Sequence, residues 1–416
     1  MTTVRRRSVQ RRLAGLSSVT SLAISAPLAL ATTYVAVLTV AGIRPARRPA
    51  ASPGGPPTRF AVMIPAHNEA GGIAATLASL ADLDYPADSY AVHVVADNCT
   101  DATAQVVRSH RVRAHERVAP DHPGKGPALN WLRDLLLADG VEFDAAVIVD
   151  ADTSVDAQFL SVADAHLRAG AEVLQGYYSV REPESSQAAT FRYAALACRH
   201  YLRPLGRTRI GGSCGLYGNG MIFSRTTITT HDFSGHLVED AEMQNELLLE
   251  GTKVAFASDA VLHAEMPSGL DAARAQNARW ERGRLDLARR YVPPLARRAV
   301  TGPDRLAAAD AVLDHITPPF SMLAGAHLAA ASAAALARAL GARAGRSLLI
   351  AHVAGLAVLA THVVVGLRAV RAPARAYRGL LSAPRQIVWK IGLWLAVATG
   401  RERASWTRTR RNVEVS

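Results

Sequence analysis

The chain has 416 residues, too many for one ordinary hydrophobic core, so a folded domain plus a further part is expected. Its formal charge of +12 rests almost wholly on arginine, since Lys125, Lys253 and Lys390 are the only lysines, and many arginines flank apolar runs. That pattern favours a membrane surface over nucleic acid as partner, and the odd, widely spaced Cys99, Cys198 and Cys214 argue against a disulfide framework or a thiolate zinc site.

Residues 17–43 contain no Asp, Glu, Lys or Arg. At ~1.5 Å per residue the run is long enough to cross a hydrocarbon core of ~30 Å. Arg5, Arg6, Arg7, Arg11 and Arg12 precede it as in a secretory signal, but it exceeds the roughly 7 to 15 apolar residues of a cleavable one. Residues 1–45 therefore read as a tail and a retained anchor, and 46–58, rich in Pro, Gly and Ala, as a linker.

From Arg59 the pattern alternates. Short apolar runs at 59–64, 91–96, 145–149 and 172–175 suit buried parallel strands, and 71–81, 101–109, 126–137 and 156–168 carry helical spacing between them. The fold predicted for 59–300 is α/β, a doubly wound, mostly parallel sheet. Ligands of such sheets bind beyond the carboxyl ends of the strands. Here the first strand runs into Pro65, Asn68 and Glu69, the second into Asp97 and Asp101, and the third into Asp150-Ala151-Asp152.

These residue types suggest chemistry, each beside a plainer role. Asp150 and Asp152 offer hard oxygens to Mg2+ or Mn2+, although one acid of such a triplet can instead cap the next helix. Asp97 can accept the N3 hydrogen of uracil, and Asp101 suits a helix cap better. For Asn68 and Glu69, loop structuring competes evenly with ligand binding. Lys125 lies in a glycine-flanked approach to a helix, a natural phosphate position, and a solvated lysine is the alternative. Glu239 and Asp240 open a helix, where acids are favourable for the macrodipole alone, but Asp240 can also serve as a general base. Gln276, Arg279 and Trp280 share a helical face by spacing; the guanidinium can pair with diphosphate and the indole can support a sugar ring, or the two can be an interfacial Trp and a snorkelling Arg.

The amphipathic stretches 187–203 and 271–290 suit the membrane surface, or equally a solvated helix face. Two further uncharged runs, 316–337 and 347–367, read as membrane segments within 301–370; the first is alanine-rich and holds His327, so a buried or interfacial helix competes there. Arg368, Arg371, Arg375 and Arg378 then open a basic juxtamembrane tail, 371–416. An integral membrane protein with a cytoplasmic catalytic domain is expected, though one crossing by 17–43 sets the Arg-rich N-terminus outside, against the positive-inside trend.

Taken in order, P-A-x-N-E, D-N-x-x-D, G-K-G-x-A-L-N, D-A-D, E-D and Q-x-x-R-W resemble the family 2 inverting glycosyltransferases of GT-A fold over about residues 59–291, and Trp389-Lys390 with the 406–410 segment resembles the tail of membrane-bound bacterial members such as cellulose, hyaluronan, chitin and poly-N-acetylglucosamine synthases. The resemblance implies that Glu69 and Asp97 contact the nucleoside, that Lys125 lies near the donor, and that Asp150 and Asp152 attend diphosphate and metal. It makes Asp240 the base. Gln276, Arg279 and Trp280 would close the acceptor side and the diphosphate, and Gly218-Asn219-Gly220 occupies the place of the acceptor loop. Asn277 departs from the usual Q-[QR]-x-R-W, and three membrane segments are few for a polymer channel. The expected activity is transfer from a nucleotide diphosphate sugar, UDP-linked, to a saccharide of a cell-surface polymer, with single addition to a glycolipid and a catalytically degenerate scaffold or sensor as alternatives.

Overall fold

The computed structural model describes residues 25–45, 48–49, 55–236, 238–265, 270–342, 344–382, 387–389 and 391–392, with the backbone alone for 270–279 and 382. In chain order the first half comprises α1 (Ser25–Gly42), β1 (Phe60–Ala66), α2 (Ile73–Ala81), β2 (Tyr90–Asp97), α3 (Thr103–Ser109), β3 (Arg113–Arg117), α4 (Lys125–Ala138), β4 (Ala145–Ile148), β5 (Thr153–Val155), α5 (Phe159–Arg168) and β6 (Val173–Val180). There follow α6 (Gln187–Leu196), a π-helical turn over Ala197–Leu202, α7 (Arg203–Arg209), β7 (Met221–Ser224), α8 (Arg225–Thr230), α9 (Glu239–Glu250) and β8 (Val254–Ala264). The chain continues through α10 (Leu270–Thr301), α11 (Arg305–Ile316), α12 (Phe320–Ala339), α13 (Ala344–Ala369) and α14 (Ala374–Gly379).

The strands form one sheet in the order β3-β2-β1-β4-β7-β6-β8-β5. β1 pairs in parallel with β2 and β4, whereas β7 runs antiparallel between β4 and β6, and β5 antiparallel to β8. β1 is apolar throughout because both of its faces are covered: Phe60, Val62, Ile64 and Ala66 join one core layer, Ala61 and Met63 the other. The predicted α/β sheet is therefore present. The expected strand set was incomplete: polar β3, three-residue β5, antiparallel β7 and β8 carry no continuous apolar run of the kind that marks β1.

Among the described residues, three helices are long and apolar enough to span a membrane, α1, α12 and α13. Leu28, Ala31 and Val35 of α1 pack against Leu323 and Ala324 of α12 and Leu359 of α13. The histidines within them are satisfied inside the bundle. His327 bonds the Thr32 hydroxyl at 2.7 Å and His352 at 3.1 Å, Ser25 lies 3.2 Å from His352, and Thr39 reaches His362 at 2.7 Å. In a lipid-filled surround an unpaired polar group costs several kcal/mol, so this pairing is what allows an alanine-rich helix to carry His327. Gly355 makes room, since a Cβ there would lie 2.4 Å from the His327 ring.

The bundle is keyed into the α/β domain by small residues. Gly42 meets Leu202, Gly206 meets the Leu38 backbone, and Gly366 meets Cys198, each too close for a Cβ without a shift. The carboxyl ends of α1 and α13 therefore both adjoin the π turn, and α1 adjoins α7 as well. The 187–203 stretch is not a free surface helix: Tyr193, Ala194, Leu196 and Ala197 pack against Leu367 and Ala376. Lys390 and the 406–410 tail segment lie outside the described residues.

Candidate active site

The Asp150-Ala151-Asp152 loop leaves the end of β4, and its main chain is fixed from three directions. Thr76 donates its hydroxyl to the Ala151 carbonyl at 2.8 Å, the Asp150 N–H donates to the Asn219 side-chain oxygen at 3.1 Å, and the Glu265 N–H donates to the Asp152 carbonyl at 3.3 Å. Asn219 also donates to the Thr153 hydroxyl at 2.7 Å and is fully buried. Its side chain therefore braces the acidic loop. Gln175, equally buried, donates to the Asn219 carbonyl at 2.8 Å and accepts from the Tyr217 N–H at 3.0 Å. The 217–220 loop and the acidic triplet thus form one hydrogen-bonded unit across the sheet, and neither Gln175 nor Thr153 figured among the expected site residues.

Lys125, the first residue of α4, reaches into this unit. Its ammonium donates to Asp150 at 2.5 Å and to the Gly218 carbonyl at 2.5 Å. Gly218 adopts φ +77, and a Cβ on it would stand 3.3 Å from the Asp240 carboxylate and 3.6 Å from the Lys125 ammonium. Four expected residues, Lys125, Asp150, Gly218 and Asp240, so converge within a few ångströms, from segments that are far apart in sequence. Gly220, at φ +70, lets the loop press on Leu262, which a Cβ would meet at 2.1 Å.

The electrostatics follow from this crowding. Burial raises the Glu239 carboxyl to about 7, helped by the neighbouring Asp240 charge and opposed by Lys125. Asp240 is raised by burial too, held partly down by the Ala241 N–H, Lys125 and Arg199. Burial disfavours the Lys125 charge, yet Asp150, Glu239 and Asp240 together raise its pKa. A base with a raised pKa beside a fixed cation is the arrangement general-base chemistry needs near neutral pH.

At the other end of the crevice, Asn68, at φ 55, accepts from the Thr100 and Asp101 N–H groups at 2.7 and 3.3 Å. Asp101 accepts from the Thr103 N–H at 3.0 Å and the Ala70 N–H at 3.1 Å; the N-cap position itself falls on Ala102 rather than on Asp101 as expected, because the helix begins one residue later, at Thr103. Glu69 and Pro65 stand on the same β1 exit, and the Glu69 N–H donates to Thr103 at 2.8 Å. Asp97 is buried and ion-paired to the equally buried Arg117 at 2.5 Å. Arg117 also donates to the His122 carbonyl at 3.0 Å, tying the end of β2 to the loop that delivers Lys125. Arg117 gave no sequence signal beyond its place in a polar run.

Of the Q-x-x-R-W residues, Gln276 and Arg279 have side chains outside the described set. Trp280 is 39% exposed, with the Arg192 guanidinium 4.4 Å above its ring. α10 is fastened to α9 by Glu242, a buried acid absent from the expected site, which accepts from Ser234 at 2.5 Å, lies 2.6 Å from His236 and bonds Arg290. Among the described residues no three His, Cys, Asp or Glu groups are grouped to hold a metal. Asp150 and Asp152 remain as hard-oxygen donors on a braced loop. That fits a cation completing its shell with water and phosphate oxygens, as Mg2+ and Mn2+ do.

The fold is similar to that of a solved mannosyltransferase. The mannosyltransferase PcManGT from Pyrobaculum calidifontis, in complex with GDP-Man and Mn2+, superposes with a TM-score of 0.54 at 18% identity, over 84% of this chain and 97% of that one. S. aureus TarS 1-349 in complex with UDP-GlcNAc gives 0.42 at 17% identity, over 74% and 90%. Glucosyl-3-phosphoglycerate synthase from Mycobacterium tuberculosis, with Mn2+, UDP and phosphoglyceric acid, gives 0.38 at 19% identity, over 53% and 74%. No curated protein sequence matches the chain significantly. The family profile described as Glycosyltransferase like family 2 matches residues 56–283, and with the GT-A-like sheet and its acidic strand ends this means that the chain belongs to that family.

Proposed function

We propose that the protein transfers a sugar from a nucleoside diphosphate donor, UDP-linked, to an acceptor hydroxyl with inversion at the anomeric carbon. The observation that carries this is the convergence of Asp240, Lys125 and Asp150 on Gly218. Asp240 accepts the acceptor proton as the hydroxyl attacks one face of the sugar. Lys125 stands between that base and Asp150, where it can meet the negative charge that grows on the departing diphosphate. Mg2+ or Mn2+, held by Asp150 and Asp152, supplies Lewis-acid stabilisation of the same leaving group when bound. One displacement with one base needs no covalent sugar–enzyme intermediate. Glu69, Asn68 and Pro65 border the nucleoside end, and Asp97, already paired to Arg117, supports that end chiefly by fixing its shape. Gln276, Arg279 and Trp280 close the diphosphate and acceptor side, with Glu239 beside the base and Gly220 and Asn219 shaping the acceptor loop.

The protein works as an integral membrane enzyme with its α/β domain in the cytoplasm, where nucleotide sugars are available. Arg44, Arg48, Arg368, Arg371, Arg375 and Arg378 cluster at the helix ends adjoining that domain, which supports this orientation by the positive-inside rule. A saccharide of a cell-surface polymer or a glycolipid can be the acceptor, and the three candidate spans among the described residues are consistent with addition without a conduit for the product. The test offers membranes containing the protein a panel of nucleotide sugars with Mg2+ or Mn2+, reading released nucleotide and product length. Asp240→Asn is expected to lower turnover by roughly 10²-fold or more while keeping donor affinity. An active Asp240→Asn enzyme removes Asp240 from the role, and nucleotide binding without sugar release by the native protein restores the scaffold reading.

A further inference from the structure

The basic side chains around the junction of the α/β domain and the bundle are mostly matched. Arg207 pairs with Asp310 at 2.7 Å, and Arg203 with Asp314 at 2.5 Å. Arg284 donates to the carbonyls of His315 and Thr317 at the end of α11. Arg199 differs. It is exposed, and among the described residues its guanidinium makes no hydrogen bond or ion pair.

Its position is nevertheless fixed. Arg199 lies in the π-helical turn Ala197–Leu202, a distortion that recurs at functional sites because it re-aims side chains. Its carbonyl accepts from the Tyr217 hydroxyl at 3.2 Å, and the next residue, buried His200, stacks on the Tyr217 ring with centroids 4.0 Å apart. Tyr217 precedes Gly218, the residue against which Asp240 packs. The Arg199 charge accordingly adds to the Ala241 N–H and Lys125 in holding down the Asp240 pKa, and it depresses those of Arg192 and Arg284. Arg192 lies two turns earlier, over Trp280. Positive charge thus accumulates on the acceptor side, beside the carboxyl end of α13, where Cys198 meets Gly366.

We propose that Arg199, with Arg192 beside it, is a phosphate subsite for the acceptor, so that the hydroxyl facing Asp240 belongs to a molecule carrying a phosphate group. A guanidinium fork suits phosphate, and its place at the end of a candidate span meets the depth of lipid headgroups. This rests on the transferase reading above and names its acceptor class.

The test uses the full chain in nonionic detergent with UDP and Mn2+ saturating, so that phosphate binding at the donor pocket is excluded. Three probes are titrated: phosphatidic acid in the micelles, soluble glycerol 3-phosphate, and diacylglycerol as the uncharged control. At least one phosphate probe is expected to bind more tightly than diacylglycerol. Arg199→Gln is expected to weaken it roughly 10- to 100-fold, with Arg199→Lys between the two. Binding of phosphatidic acid alone assigns the phosphate to a lipid, and binding of glycerol 3-phosphate as well assigns it to a soluble acceptor. The proposal is overturned if Arg199→Gln, with native thermal stability and UDP affinity, binds the probes as the native protein does, or if neither phosphate outcompetes diacylglycerol. Because no sugar transfer is read, either result is distinct from a failure of the donor panel.

Discussion

In the proposed reaction Asp240 and Lys125 set the chemistry at the level of single residues. The Lys125 ammonium and the Asp240 carboxylate flank Gly218, so the cation holds the carboxyl pKa partly down. Asp240 must be ionised to accept a proton, so kcat/KM falls as pH drops through its raised pKa. The acid limb is expected above the 3.8 of an ordinary aspartate, because burial outweighs the Lys125 attraction. Lys125→Met removes that attraction and should move the limb of the residual activity to higher pH; a limb that stays put or falls would show that Lys125 does not act on the base. Arg117 illustrates the opposite kind of residue. It neutralises Asp97 in the core, and Arg117→Met leaves a buried carboxylate unpaired at a cost of about 3–5 kcal/mol. Chemical denaturation should show that loss together with weaker nucleotide binding, since Arg117 also anchors the loop before Lys125.

Among the elements, the loops do what the strands prepare. β4 and β7 are antiparallel neighbours, which brings the acidic triplet and the 217–220 loop to one edge of the sheet, where Asn219 joins them. Asn219→Ala leaves the Asp150 N–H and the Thr153 hydroxyl without this partner. A stability loss of roughly 2 kcal/mol is expected, and turnover should fall further than donor affinity, because the loop carries both Asp150 and the contact to Lys125. Turnover unchanged in a destabilised Asn219→Ala protein would separate the brace from the chemistry. Glu242 does the corresponding work between α9 and α10, gathering Ser234, His236 and Arg290 beneath the helix that carries Trp280.

On the scale of the whole molecule, the apolar bundle and the α/β domain are one assembly. Small residues at 42, 206 and 366 let helix backbones and side chains approach, and the His327–His352 and Thr32–His327 bonds fix which helix faces which. Interhelical bonds of this kind are worth about 1 kcal/mol in a membrane. His327→Leu should therefore lower the unfolding midpoint in detergent by only a few degrees and leave nucleotide binding intact; a loss of binding would mean that the bundle shapes the donor pocket. Both α1 and α13 adjoin the domain by their carboxyl ends. The basic residues at the helix ends beside the domain support the orientation proposed here.

The sequence by itself determined the α/β alternation, the three apolar helices and the acids at strand ends, because each is written in a local period or in residues a few places apart. It also brought forward Asp240 and Lys125, which are informative as residue types in short motifs. What only the tertiary structure decided are the pairings between distant segments. Lys125 meets Gly218 across 93 positions, Asp150 meets Asn219 across 69, and Asp97 is neutralised by Arg117 from an edge strand whose polar sequence hides it. Arg199 belongs to the same class: an arginine among many in a basic chain, distinguished by the partner it lacks among the described residues and by its tie to Tyr217 beside the loop at Gly218. Such roles depend on which strands become neighbours and which charges are already matched, and no local pattern encodes either.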